Sequence, residues 1–203
     1  MGRTSDARQR LMDAAYKLIW EYSYGAVTID AICERAEVKK GSFYYFFDSK
    51  SDLAAAAVDA AWGQRKKILE EMFQPEFAPL DRIRKYIDFV AQKQLEEYEA
   101  SGQIWGCPIF TLGSEIYRQD EKIRAKVYEI LTCLTGYFES AIRDAMAEGE
   151  MKGGDPAVKA RALFNYFEGV LTHARIENNP EPIRTLTADA MAQLEARMAA
   201  TTA

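Results

Sequence analysis

Apolar residues recur three and four positions apart along almost the whole chain, and no segment shows the strict alternation of a half-buried strand. In the first stretch Leu11, Ala14, Ala15, Leu18, Ile19 and Tyr22 fall at offsets 0, 3, 4, 7, 8 and 11, one face of a helix with period 3.6. Gly25 then breaks the pattern. Thr28 is placed to cap a second helix of about two turns, carrying Ile32, Cys33 and Ala36. Further helices are predicted from Ser49 to about Phe73, from about Pro79 through Ala91, over Pro108–Tyr117, and along a stripe from Ile123 to Ala145. Asp155-Pro156 is a cap followed by a proline at the first helical position, and it opens a helix reaching about Asn178. A last helix is predicted from about Glu181 to Met198. The chain is therefore expected to be all-α with about nine helices: three short ones, then longer ones. The boundary falls within the fourth helix, a shared helix rather than a flexible linker, giving a head at residues 1–52 and a helical body at 53–203.

Composition narrows the function. With 203 residues the chain is long enough for a real core. No apolar run approaches the ~20 residues of a membrane helix, and the charged start "MGRTSDARQRLMDAA" has no secretory core, so a cytoplasmic protein is expected, with no membrane partner. One histidine, His173, and three scattered cysteines, Cys33, Cys107 and Cys133, give no metal-ligand spacing. No phosphate loop or HExxH motif is present, and no cofactor is expected. The net charge of −5 is unevenly spread: residues 1–50 carry +1 and residues 51–203 carry −6. An acidic body behind a less acidic head is compatible with a head that meets DNA.

The stretch "VKKGSFYYFFDSK", Val38–Lys50, carries the chemistry. As a strand it would be an orphan in a helical chain. As a stacking platform for single strands it would need its rings outward. At helical spacing Val38, Phe43, Phe46 and Phe47 turn inward with Ile32 and Ala36. Lys39, Lys40, Ser42, Tyr44 and Tyr45 stay outward. Two short helices joined by a tight turn at Ala36-Glu37-Val38 make a helix-turn-helix, whose second helix enters the major groove. Gly41 costs helix stability but lets the backbone approach DNA closely.

Over residues 8–55, and most closely in "TIDAICERAEVKKGSFYYFFDSKSDL", the chain resembles the DNA-binding head of the TetR family of transcriptional repressors. Tyr45 stands where many members carry His. The segments "WGCPIFTLGSEI" and "YFEGVLTHAR" are more weakly similar to pieces found in one branch of the family. The resemblance implies DNA contacts from Thr28, Lys39, Lys40, Gly41, Ser42, Tyr44, Tyr45 and Lys50, with Thr28, Tyr44 and Lys50 on phosphates. It implies a homodimer on a pseudo-palindromic, double-stranded operator, formed by the last two long helices, with Phe164, Phe167, Leu171, Leu186, Met191 and Leu194 at the interface. It also implies a small-molecule effector in an aromatic-lined pocket. Phe89, Trp105, Cys107 and Phe110 are the candidate contacts there, from a wider aromatic set that includes Tyr117. Cys107, at a Gly-Pro break before a short helix, is a candidate electrophile or oxidant sensor.

The expected function is a ligand-responsive repressor, released by a small apolar or electrophilic effector. Two other classes compete. One is a helical ligand-binding or interaction protein without DNA binding. The other is a helical enzyme working through carboxylates, with Glu115 and Glu168 as candidates; a serine-histidine-aspartate set could draw on no histidine but His173.

Overall fold

A computed structural model of the chain describes residues 2–116, 118, 120–151 and 153–199, with side chains described between 6 and 194. Tyr117 and Met198, which the sequence placed on a pocket wall and on the last helix stripe, lie outside the described side chains. Ten helices and no strand are present among the described residues: α1 (Gly2–Tyr22), α2 (Ile29–Arg35), α3 (Lys40–Phe46), α4 (Lys50–Met72), α5 (Pro79–Ser101), α6 (Pro108–Ile116), α7 (Glu121–Ala147), α8 (Pro156–Glu177), α9 (Glu181–Arg184) and α10 (Leu186–Ala199). The last predicted helix is thus two elements, α9 and α10, separated at Thr185. Pro180 and Pro182 restrict the first turn, and α10 starts afresh with the Asp189 amide donating to the Thr185 carbonyl at 3.0 Å.

The chain forms two compact units. The first comprises residues 1–66 and 108–131, and the second residues 67–107 and 132–203, so α4 and α7 each contribute to both.

In the first unit α1, α2 and α3 close over Leu11, Ala15, Ile32 and Phe43, all fully buried, with Leu53 of α4 equally buried. The turn from α2 into α3 has a specific chemistry. Glu37 takes φ 53°, its amide donates to Glu34 O at 3.0 Å, and the Val38 amide donates to Cys33 O at 2.9 Å. This is a Schellman ending with glutamate in the left-handed position usually given to glycine. The Arg10 guanidinium donates to Ala36 O at 2.9 Å and braces it from α1. Ser49 accepts from the Asp52 amide at 3.0 Å and donates to Asp52 Oδ2 at 2.7 Å, capping α4.

In the second unit Phe138 is fully buried among Phe73, Tyr86 and Phe164, with ring centroids 6.2, 5.8 and 5.9 Å away. Arg82, only 7% exposed, fastens the segment before α5: it donates to Phe77 O at 2.9 Å and Pro75 O at 3.1 Å, and pairs with Asp144 of α7 at 2.5 Å. The non-helical stretch 102–107 is held by side chains. Gln94 accepts from the Gly106 amide and donates to the Gly106 carbonyl. Arg175 donates to Trp105 O at 2.7 Å. Asn178, which ends α8 at φ 49°, accepts from the Ile104 amide and donates to Gly102 O, both at 2.9 Å. Asp155 caps α8 by accepting from the Ala157 amide at 2.8 Å.

Candidate nucleic-acid interface

α3 separates its aromatic run into two faces. Phe43 is fully buried and Phe47 is 5% exposed, with ring centroids 6.0 Å apart. Phe46 is half-buried. Tyr44 and Tyr45 are 55% and 75% exposed. The apolar rings hold the helix to its core, and both phenol rings stand toward solvent. Lys39, Lys40 and Gly41 are exposed and Ser42 half-buried on the same short helix and its lead-in. A Cβ placed on Gly41 would meet nothing within 4 Å, so the chain's own packing gives no reason for a glycine there.

Lys40 is not isolated. Its ammonium pairs with Asp30 of α2 at 2.7 Å, and the hydrogen bond it donates to that carboxylate raises the Lys40 pKa. Thr28, exposed, caps α2 by accepting from the Ala31 amide at 3.1 Å. Lys50 is placed differently from the others. It is half-buried, donates to Tyr24 O and Val27 O at 2.9 Å each, and lies 4.2 Å from the centre of the Tyr24 ring. Burial lowers its pKa, with Glu115 acting the other way. Seven of the eight residues expected at DNA therefore surround α3 and the start of α2, and Lys50 is turned into the first unit.

The effector candidates divide between the units. Phe89, Trp105 and Cys107 belong to the second, with Trp105 9% exposed and the other two half-buried. Phe110 belongs to the first and is 37% exposed. A surface groove of about 740 Å³ in the second unit, between α5 and the α9–α10 segment, is lined by none of them.

The interface set needs a correction. Phe164, Phe167, Leu171, Leu186, Met191 and Leu194 are each at most 5% exposed within a single chain. They are spent in that chain's own core and have no area left for a partner. The apolar stripe was wide because α8 packs against several helices of its own chain. Outward on α8 stand Val158, Asn165, Gly169, His173 and Ile176 instead. Val158 and Ile176 are 48% and 76% exposed, and a Cβ on Gly169 would meet nothing within 4 Å.

Two participants in the head were not foreseen. Asp30 is the partner of Lys40, reached across the turn. Glu115 accepts from the Tyr24 and Gly25 amides at 2.9 and 2.6 Å. The sequence offered it only as a possible catalytic carboxylate, and a contact 90 residues away leaves no local pattern to find.

Residues 11–57 match the sequence model of bacterial regulatory proteins of the tetR family, and residues 79–197 match that of the tetracyclin repressor-like C-terminal domain. The chain is 30% identical to the transcriptional regulator AcuR of Cereibacter sphaeroides over 89% of its own length and 82% of AcuR. It is 24% identical to the HTH-type transcriptional repressor NemR of Escherichia coli over 90% of its length and 91% of NemR. A solved regulatory protein TetR from Rhodobacter sphaeroides superposes with a TM-score of 0.79 at 29% identity, covering 91% of this chain and 96% of that one. Helix order, the exposed α3 face and both sequence models agree: the chain belongs to the TetR family of transcriptional regulators.

Proposed function

We propose that this regulator represses transcription by holding a pseudo-palindromic operator as a homodimer, with residues 1–52 as the DNA-binding domain. The observation that carries the reading is the division of α3, where Phe43 is buried, and Phe47 just after it, while Lys40, Gly41, Tyr44 and Tyr45 are exposed and Ser42 and Phe46 are half-buried. Tyr44, Lys39 and Lys40 take phosphates, Ser42 and Tyr45 meet base edges or the adjoining backbone, and Thr28 lies on the flanking strand. Gly41 admits the duplex where a side chain would stand. The dimer uses the outward face of α8 at Val158, Gly169 and Ile176, and its two heads take half-sites about 34–36 Å apart or a near multiple of that. A small apolar or electrophilic effector binds the conformation that mismatches this spacing, and so releases the operator. Cys107, half-buried just before α6, is the group an electrophile would meet.

Selection from a random duplex library with the purified chain, followed by binding at several salt concentrations, tests this. A palindromic consensus should emerge. Each phosphate neutralised by a lysine or arginine should add about 0.9 to the salt slope, and Tyr44→Ala, which removes an uncharged donor, should weaken binding with the slope unchanged. Failure to enrich any palindrome, with Tyr44→Ala behaving as wild type, would sink the reading. N-ethylmaleimide should release the duplex from wild type and not from Cys107→Ser; equal release from both removes the electrophile arm.

A further inference from the structure

The turn between α1 and α2 is gripped on both of its polar sides by charged groups from elsewhere in the first unit. After α1 closes with the Ser23 amide donating to Ile19 O at 3.0 Å, the next two amides, of Tyr24 and Gly25, donate one each to the two carboxylate oxygens of Glu115 on α6. The carbonyls of Tyr24 and Val27 accept from the single ammonium of Lys50 at the start of α4. Both are charge-assisted bonds, with the negative group on the donors and the positive group on the acceptors. Val27 is 3% exposed and immediately precedes the Thr28 cap of α2. Whatever fixes this turn therefore fixes where α2 begins.

We propose that Glu115 and Lys50 form a two-sided clamp that positions the helix-turn-helix, and that Lys50 is a positioning residue and not a phosphate contact. A lysine ammonium has three donor directions. Two are taken by carbonyls, and the Tyr24 ring lies 4.2 Å from the nitrogen, so at most one donor is left for any other partner. The surroundings are shaped to the clamp as well. A Cβ on Gly25 would lie 2.8 Å from Glu115 Oε1, so a side chain at residue 25 would make the carboxylate shift from its present position on the two amides. The clamp ties α6 directly to the turn that launches the DNA-reading helices. It deepens the proposed operator binding and rests on that reading for its functional consequence.

The test uses full-length wild type, Glu115→Gln and Lys50→Met, with a duplex selected by wild type as the probe. Glu115→Gln keeps one acceptor oxygen and replaces the other with a donor. Amide exchange at Tyr24 and Gly25, followed by NMR, should accelerate by about tenfold, the equivalent of one charged hydrogen bond, while Ser23, held by a main-chain bond, should not change. Both variants should bind the duplex several-fold more weakly with an unchanged salt slope. A slope reduced by about 0.9 per head in Lys50→Met identifies a phosphate contact and overturns the assignment. Wild-type duplex affinity in Glu115→Gln, or unaltered exchange at Tyr24 and Gly25, overturns the clamp. If Lys50→Met does not fold, Lys50→Gln supplies the same salt-slope comparison. If wild type enriches no sequence, the operator reading fails on its own and the exchange measurement still decides the clamp.

Discussion

Replacing Asp30 by asparagine should tighten DNA binding. Asp30 and Lys40 pair across the helix-turn-helix at 2.7 Å, and both side chains remain more than half exposed. A phosphate that hydrogen-bonds Lys40 Nζ must bring an oxygen to about 5 Å from the Asp30 carboxylate, given ordinary charge-assisted distances. Two like charges at that range in water repel by an energy slightly above thermal, and screening over the ~8 Å Debye length at physiological salt roughly halves it. Lower permittivity where duplex meets protein restores part of the loss. The release should amount to about a two- to fivefold gain in affinity per head. Asparagine preserves the shape, and Lys40 stays charged without its partner, because Asp30 only raises a pKa that is already far above neutrality. Fluorescence anisotropy with a selected duplex and a scrambled duplex, at three salt concentrations, reads the effect. The gain should be equal on both sequences and shrink as salt rises, since a phosphate contact carries no sequence information. Weaker binding by Asp30→Asn would refute the reasoning. So would a gain confined to the selected sequence, which would make Asp30 a reader of bases.

Two further outcomes follow from the packing. Arg82→Ala removes three hydrogen bonds from a buried guanidinium; its acceptors lie near solvent and regain water, so the cost should sit at the low end for a broken buried pair, about 3 kcal/mol. At fixed protein concentration the thermal midpoint should fall by roughly 6–12 °C, and Arg82→Lys should recover about half; a fall under 3 °C would show that Arg82 does not fasten the loop. Glu37→Gly places the residue without a Cβ penalty at φ 53° and keeps both Schellman bonds, so it should stabilise the chain by about 0.5–1 kcal/mol, measured by urea denaturation with an unchanged m-value.

The fold and the facing of α3 were legible because both depend on local spacing. Phe43 and Phe47 fall on the same side as Ile32, and Tyr44 and Tyr45 do not; no distant contact is needed to say so. The break at Thr185 was hidden for the converse reason. Ile183, Leu186, Ala190, Met191 and Leu194 keep one helical phase through it, and all are buried, so periodicity sees a single helix. The apolar face of α8 was visible, but periodicity marks only that a face is buried, and not whether its own chain or another covers it. Glu115 and Lys50 are polar residues whose partners are backbone atoms of a turn. Backbone groups have no sequence signature, so this part of the head was invisible before the chain was folded.

Asn178 shows how exposure and replaceability part company. It is solvent-exposed, the usual mark of a position open to drift. Yet it must adopt φ 49° while offering an oxygen to the Ile104 amide and a nitrogen to the Gly102 carbonyl. Glycine would suit the backbone and orphan both groups. Aspartate would set an acceptor against the Gly102 carbonyl, and glutamine would carry its amide one methylene too far. Among the common residues only asparagine meets all three demands, so variation near the end of α8 should pass on either side of residue 178 and leave it alone.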